Sequence, residues 1–591
     1  MTTKPPNTAN PQPSLLSKTI RDQSPIFRKA FGFSFANSLM VLAPTIFMLE
    51  IYGRVVTSRS STTLISLLLC VIGVYVLMEV LDMLRNRLLQ QAGWRIDVAL
   101  REHLHDATFT ASLRSGAGSA QPFSDLRTVR EFISSPAITS ILDVPSSLVF
   151  LIIVSLINPW LGIVALIGAV VQFFIGMKTE RKTMPVLTEA NQASIAAQSY
   201  ASGALRNAQV MAAMGMRENI YQRWIARQRK FLTLQAIASD TAGGNSASSK
   251  FIQTMQGSLI LGVSCWLHVK NLLPGNGGIM IVASTLGSRI LAPLIQVVAQ
   301  WRTVINARDA YRRLDEILGP VPAERQHMPL PPPQGKLSVE SVVASAPGSN
   351  IAIIRGVSFS LQPGETLMLI GPSAAGKTTL ARILMGIWPT ASGKVRLDGA
   401  DLHAWSKEEL GPHLGYLPQT VELFDGTLAE NIARFGDIDI EQVKASIAMV
   451  GLTDMVSALP NGLDTSIGDE GAILSGGQRQ RVGLARAIYG NPNFVLLDEP
   501  NSSLDEAGEQ ALMNTLMSLK ARKCTTIVIT HRTSVLPAAD KILVLREGQV
   551  AAFGPRDEVL AALRKANAPR TPAAATIAPA VVPAPVAGGV A

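Results

Sequence analysis

Four short runs in the second half of the chain carry residues suited to handling a polyphosphate. GPSAAGKT, Gly371–Thr378, follows the strand-like TLMLI and precedes the apolar-periodic TLARILMGI. In that setting glycines expose backbone N–H groups to phosphate oxygens, Lys377 reaches the β- and γ-phosphates, and the Thr378 hydroxyl is a Mg2+ ligand. Gly371, Ser373, Ala374, Ala375, Gly376 and Thr379 complete that cradle. NFVLLDEP, Asn493–Pro500, reads as a buried strand ending in two acids. Asp498 is placed there to hold Mg2+, and Glu499 to polarise the water that attacks the γ-phosphate. TIVITHR sets His531 at the end of another strand, where an imidazole can donate to the γ-phosphate. LGYLPQ places Gln419 after a third, in reach of the Mg2+ or the attacking water. Alone, an acidic strand end reads as a helix cap and a lone histidine as structural. Beside a phosphate loop, the nucleotide reading prevails.

A fifth run, GAILSGGQRQR (Gly471–Arg481), is chemically mild: glycines, one serine, glutamines and a basic end, with no acid and no metal ligand. Glycines flanking a serine ahead of a helix suggest a loop whose N–H groups approach an anion closely. The run itself does not say whose anion.

The elements that must position these residues divide the chain. Its 591 residues imply two or more domains, and 47% hydrophobic residues with a mean hydropathy of +0.26 are high for a water-soluble protein. Apolar runs near 30–51, 62–82, 139–158, 160–178, 251–270 and 278–300 are each long enough to cross a hydrocarbon core of ~30 Å. The long connections are basic: Arg85, Arg87, Arg95, Arg101, Arg114, Arg127 and Arg130 in one, and nine lysines and arginines from Lys178 to Lys230 in the other. Short connections such as Asn158–Trp160 and Asn271–Gly278 alternate with them. The positive-inside rule then places the basic loops, both termini and the C-terminal half in the cytoplasm. The net charge of +10 is thereby read as membrane orientation, with membrane lipids as surroundings and no nucleic acid as partner. Helix-forming composition extends these loops as cytoplasmic helices, with tips near Gln121–Asp125 and Arg206–Met216. Glu79 and Arg289 are ionisable residues within spans and candidates for a substrate pathway. Cys70, Cys265 and Cys524 offer neither a disulfide framework nor a zinc spacing.

The expected domains are a disordered tail over 1–25, a membrane domain over 26–319, a Pro-rich linker over 320–336, an ATPase domain over 337–565 and a disordered Ala/Pro tail over 566–591.

In order and rough spacing, the phosphate loop, Gln419, LSGGQ, LLDE, SSLD (Ser502–Asp505) and His531 resemble the ATPase domain of an ABC transporter. With six preceding spans, the chain resembles an ABC exporter half-transporter over nearly everything except the tails. The resemblance implies an α-helical six-span transmembrane domain followed by an α/β P-loop nucleotide-binding domain, using ATP and Mg2+. It also supplies the owner of the anion. Two ATPase domains meet head to tail, so that Ser475, Gly476, Gly477 and Gln478 face the γ-phosphate on the opposing Lys377 loop, with Asp505 among the nucleotide contacts. One membrane half and one ATPase half imply a homodimer with two equivalent sites. One position departs from the family: the aromatic that stacks on adenine is replaced by Ala346, at a loss of about 1–3 kcal/mol of stacking. Another apolar residue must cover the base, or base selectivity relaxes; ATP remains the expected nucleotide.

LEIYGRVVTSRS, ILDVPSSLVFLIIVSLINPWLG and ALRNAQVMAAMGM in the membrane half resemble type I protein-secretion exporters of the protease/lipase (PrtD-like) branch. The short stretch before residue 30 is expected to hold none of the peptidase-like domain that opens other branches, which favours this one. This resemblance implies an inner-membrane exporter of unfolded proteins carrying a C-terminal secretion signal. Its partners would be a periplasmic membrane-fusion adaptor, an outer-membrane TolC-like channel and the secreted protein itself. The alternatives are an exporter of lipids, peptides or drugs, and a membrane-anchored regulatory ATPase that transports nothing.

Overall fold

The computed structural model describes residues 14–115, 119–273, 277–319, 330–347, 349, 351–468, 471 and 473–567. The expected tail before Ser14, most of the Pro-rich linker and the tail after Asn567 lie outside the described residues. The chain divides into two compact units, the second formed mainly by residues beyond 324.

The membrane unit is helical: α1 (Leu15–Asp22), α2 (Ser24–Met40), α3 (Leu42–Glu50), α4 (Ser61–Ser115), α5 (Gln121–Ile133), α6 (Pro136–Ile157), α7 (Pro159–Arg206), α8 (Arg217–Val269), α9 (Gly278–Ala299) and α10 (Trp301–Leu318). Among the described residues, five helical stretches are long and apolar enough to cross a membrane: Ser24–Ser58, Ser61–Leu113, Gln121–Ile157, Pro159–Arg206 and Gly278–Ala299. The run at 251–270 is also helical, as the end of α8, but Gln253, Gln256, Ser264 and His268 make it less apolar than those five. Its polar groups turn inward: Gln256 Nε2 donates to Gly287 O of α9 at 2.9 Å, and Gln172 Nε2 of α7 donates to Ser249 Oγ of α8 at 3.0 Å. In both amides the NH2 group finds an acceptor on a neighbouring helix, while the Oε1 has no partner among the described residues. Around them Phe150, Val154, Leu161, Ala165, Ile260 and Ile290 form the apolar core. Pro159 starts α7 at a position that needs no N–H, and the Asn158 side chain accepts from Trp160 N at 3.0 Å.

Residues 15–22, expected within a disordered tail, form α1. Ser14 caps it through Ser17 N, and its apolar face buries Leu16 against Ala92, Ile96, Leu100 and Leu314. Full burial of one leucine contributes about 1.5–3 kcal/mol, and Leu15 and Ile20 pack on the same cluster, which together favour a helix too short to be stable alone. The same cluster holds α5 to α10, where Arg313 grips buried Asp125 with two hydrogen bonds of 2.7 and 2.8 Å. At the start of α6, Arg85 of α4 lies buried between Asp82 (2.9 Å) and Asp143 (3.3 Å), and Ser34 of α2 also donates to Asp143. This polar knot ties three helices. Of the two ionisable residues singled out within spans, Glu79 is exposed on α4, and Arg289 lines a pocket with Asn37, Asp143 and Gln296.

The ATPase unit is built on two sheets. The strands are β1 (Leu337–Ser345), β2 (Ala352–Leu361), β3 (Thr366–Ile370), β4 (Ser392–Leu397), β5 (Ala400–Asp401), β6 (Leu414–Leu417), β7 (Phe494–Asp498), β8 (Thr525–Ile529), β9 (Lys541–Arg546) and β10 (Gln549–Pro555). An antiparallel sheet runs β2-β1-β4-β5, and a larger one runs β10-β9-β3-β8-β7-β6. In the larger sheet β9, β3, β8, β7 and β6 are parallel, and β7 and β8 are buried along their whole length. Hence FVLLD and TTIVI read as unbroken rather than alternating patterns. A parallel sheet collects the C-terminal ends of its strands on one edge, where open α/β sheets bind ligands. The ends of β3, β6, β7 and β8 lie there.

Candidate nucleotide site

The loop after β3 wraps into α11 (Lys377–Leu384), and two backbone features fix it. Gly376 has φ +98°, and Ala374 takes φ +64°, an uncommon state for a residue with a Cβ. Gly371 is required by space: a Cβ there would lie 2.2 Å from Leu545 O. Lys377 is buried and folds back so that Nζ donates to Gly371 O (2.9 Å) and Pro372 O (3.0 Å). Burial pushes its pKa down, while the carboxylates of Glu499 and Asp498 pull it up. Two of its three donors thus rest on the loop's own carbonyls.

β7 delivers Asp498 and Glu499. Asp498 is 1% exposed, and its Oδ2 has no hydrogen-bond partner among the described residues. Burial raises its pKa, opposed by a hydrogen bond with Thr378. A buried carboxylate oxygen without a donor, next to a threonine hydroxyl, is a fit for a hard divalent cation. Glu499 sits at φ +51°, held there by its N–H to Ile529 O (2.9 Å) and by Gln480 Nε2 to its own carbonyl (2.8 Å). Such strain persists only where the surroundings over-determine it. The Glu499 carboxylate accepts from Gln419 Nε2 at 3.1 Å and lies 3.5 Å from His531 Nε2. The structure therefore brings Gln419, Glu499 and His531, which are 80 and 32 residues apart in sequence, around one carboxylate.

The LSGGQ run opens α12 (Gly476–Ile488). Ser475 and Gln478 form a reciprocal cap: Ser475 Oγ accepts from Gln478 N at 3.2 Å, and Gln478 Oε1 accepts from Ser475 N at 2.8 Å. Among the described residues, a Cβ at Gly476 would meet nothing within 4 Å, so this helix start faces away from them. Gly477 packs against the turn after β7; a Cβ there would lie 2.8 Å from Ser503 O. Asp505 caps α13 (Glu506–Ala521) by accepting from Gly508 N at 2.9 Å. Gln480 was not singled out from sequence. It is buried, donates to Glu499 O and Ser502 Oγ, and accepts from Ser503 N, tying α12 to the segment that carries Glu499. Only its place on the inward face of the helix after LSGGQ could have marked it. Ala346 sits in a turn, its carbonyl accepting from Ser349 N. Ile353 approaches Gly376, its Cγ2 3.3 Å from where a Cβ would be.

A helical membrane unit joined to a parallel-sheet unit with this loop, carboxylate pair and outward helix start defines an ATP-hydrolysing membrane transporter of the ABC class. The ABC transporter family matches residues 354–502, and the ABC transporter transmembrane region matches residues 28–289. The type I secretion system ATP-binding protein PrsD of Rhizobium meliloti is 38% identical over 526 residues, covering 88% of this chain and 90% of that protein. The alpha-hemolysin translocation ATP-binding protein HlyB of Escherichia coli is 27% identical over 556 residues, covering 90% and 76%. A bacterial Atm1-family ABC exporter solved with ATP bound shares the fold, with a TM-score of 0.78 at 21% identity, over 93% of this chain and 96% of that one. The chain belongs to the ABC transporters, in the family of type I secretion ATP-binding proteins. It is a multi-pass membrane protein that couples ATP hydrolysis to transport.

Proposed function

We propose that the protein is the ATP-driven inner-membrane exporter of a type I secretion system, moving unfolded proteins that carry a C-terminal secretion signal. The observation that carries the cargo class is the 38% identity to PrsD across both units. In this reading six spans cross the bacterial inner membrane, the run at 251–270 being one of them, with both termini and the ATPase unit cytoplasmic. A periplasmic adaptor and an outer-membrane channel continue the path. The protease/lipase branch is the one its membrane motifs resemble.

Two copies work as a homodimer. The outward-facing Ser475–Gly477 start of α12 supports this, because its N–H groups and positive helix end suit an anion, and no described residue lies within 4 Å of a Cβ built at Gly476. Within each site, Lys377 transfers its donors from Gly371 O and Pro372 O to the β- and γ-phosphates, and Gly371 to Thr379 enclose them. Thr378 and Asp498, with Gln419, would hold Mg2+, which neutralises phosphate charge when bound. Glu499 orients and polarises the attacking water. Gln419 and His531 fix its carboxylate, and His531 donates to the γ-phosphate. Asp505 holds the end of the loop that presents these groups. Adenine is covered by an apolar side chain near Ile353 in place of the aromatic absent at Ala346.

The test is ATP turnover of the full chain in lipid, with and without the C-terminal segment of a candidate secreted protein. A saturable change, absent with a scrambled segment, supports protein secretion. No change there, with stimulation by amphipathic drugs or lipids, moves the reading to a small-molecule exporter. Indifference to every cargo favours a regulatory ATPase.

A further inference from the structure

A cavity of about 590 Å³ opens between α1, the first turns of α2, Leu142 of α6 and Tyr311 of α10. Two guanidiniums, Arg21 and Arg28, and two aromatic rings, Phe27 and Phe31, share its wall. The α1 side of this wall is held in place. Leu16 is fully buried, and Leu15 N donates to Gly319 O at the end of α10. Both arginines are exposed, and neither has an ion-pair partner among the described residues. Two free cations on one cavity wall call for an anion.

The depth says which kind. Arg28 lies just before the apolar run that starts near residue 30, where a first span meets the lipid headgroups. From there Phe31, Phe35 and Leu39 repeat every four residues along α2, each 38–39% exposed, so that one helix face carries an apolar track of about 12 Å. A cationic mouth continued by an apolar track fits a phosphodiester headgroup followed by acyl chain. Residues 1–13, which precede α1 in sequence, contain Lys4 and no acid, and so offer the arginines no counter-charge.

We propose that this cavity is a binding site for one acidic phospholipid per chain, with Arg21 and Arg28 on its phosphate and Phe27 and Phe31 against its first methylenes. The site does not involve nucleotide or cargo. It adopts the proposed orientation only in assigning the lipid to the inner leaflet. Tyr311, on the same wall, belongs to α10, which also holds Asp125 through Arg313. An occupied site therefore steadies the helix at whose end the membrane unit closes.

The experiment uses the full chain in nanodiscs of phosphatidylcholine with rising fractions of phosphatidylglycerol. Native mass spectrometry counts retained lipid, and ATP turnover is measured in parallel. Wild type is expected to retain phosphatidylglycerol in preference to phosphatidylcholine. Each of Arg21→Gln and Arg28→Gln should raise the fraction needed for half-retention about fivefold, and both together about 25-fold. Arg21→Lys with Arg28→Lys should stay near wild type, and basal turnover at saturating phosphatidylglycerol certifies the fold of each variant. The single variants keep the test decisive should the double variant fail to fold. Unchanged retention in the glutamine variants, or equal retention of phosphatidylcholine by wild type, would overturn the proposal. So would a severalfold rise in retention on removing residues 1–13, which would make that segment the occupant. Because retention is read without cargo, a negative cargo assay leaves this result standing.

Discussion

Replacing Glu499 by glutamine removes a charge and keeps nearly everything else. The backbone contacts that set its φ of +51°, from its N–H to Ile529 O and from Gln480 Nε2 to its carbonyl, do not involve the side chain. Gln419 Nε2 still finds an amide oxygen where it now finds Oε2 at 3.1 Å. Folding should thus be untouched, with an apparent Tm within a degree or two. In the proposed mechanism the group lost is the one that polarises water, and positioned acid–base groups contribute about 10²–10⁴ in rate, or about 3–5 kcal/mol of barrier. Turnover should fall by at least ~100-fold while ATP affinity stays within about threefold, so ATP-bound protein accumulates. A second substitution separates strain from chemistry. Glu499→Gly releases a conformation that costs a side-chain-bearing residue about 1–3 kcal/mol, against an entropic penalty for glycine of about 0.5–1 kcal/mol. The glycine variant should be at least as stable as wild type and as inactive as the glutamine variant. Steady-state phosphate release, ATP binding and thermal unfolding on the three proteins decide it. A glutamine variant within threefold of wild-type turnover would refute a direct role for the carboxylate. A glycine variant much less stable than wild type would refute the strain.

Gln480→Ala should reduce turnover roughly tenfold with ATP affinity unchanged, because it removes hydrogen bonds to Glu499 O, Ser502 Oγ and Ser503 N that position the carboxylate; conservative Gln480→Glu, which cannot donate, should not restore it. Asp143→Ala leaves Arg85 buried with Asp82 alone. Breaking a buried pair costs about 3–5 kcal/mol, and the surviving partner should hold the loss to about 2 kcal/mol, read as a lowered Tm in detergent with ATP binding by the ATPase unit retained. Burial raises the Asp498 pKa in the nucleotide-free protein, so between the ordinary aspartate value of about 4 and the higher folded value the native state binds more protons than the unfolded one. Its contribution is full below that window and is lost as pH rises through it. Asp498→Asn should therefore raise the nucleotide-free Tm at pH 7 and flatten this part of its pH dependence, while abolishing the stabilisation by Mg2+ with ATP.

The chemical groups were legible because phosphate chemistry needs certain residue types at strand ends, and the strands around them are unbroken apolar runs. Lys377, Asp498, Glu499, His531 and Gln419 could be named before any fold was known, and β3, β6, β7 and β8 deliver them to one edge. Less legible were residues whose importance lies in what they touch. Gln480 is an ordinary polar side chain in a basic helix until the turn at Ser502–Ser503 is folded against it. Arg85 and Asp143 are 58 residues apart, and no period in the sequence joins them. Residues 15–22 look like tail because their composition is mixed, and α1 exists through the burial of Leu16 by helices far along the chain. Polar Gln256 lowers the apolarity of the run at 251–270, yet it is buried against α9, so local hydropathy and burial disagree there.

The long helices of the membrane unit have a mechanical side. In α7 the apolar run ends near residue 178 and the helix continues to Arg206, an extension of about 42 Å beyond a membrane part of about 30 Å. α8 runs beside it and is linked to it twice, by Gln172 to Ser249 and by Lys230 to Glu189 at 2.9 Å, so the two resist bending as a braced strut. Pivoted where the apolar run ends, such a strut has unequal arms. A push of a few ångströms at the Arg206 end arrives at the far end of the span with shorter travel and greater force. That gearing suits a machine whose fuel acts through small closures and whose load resists being moved.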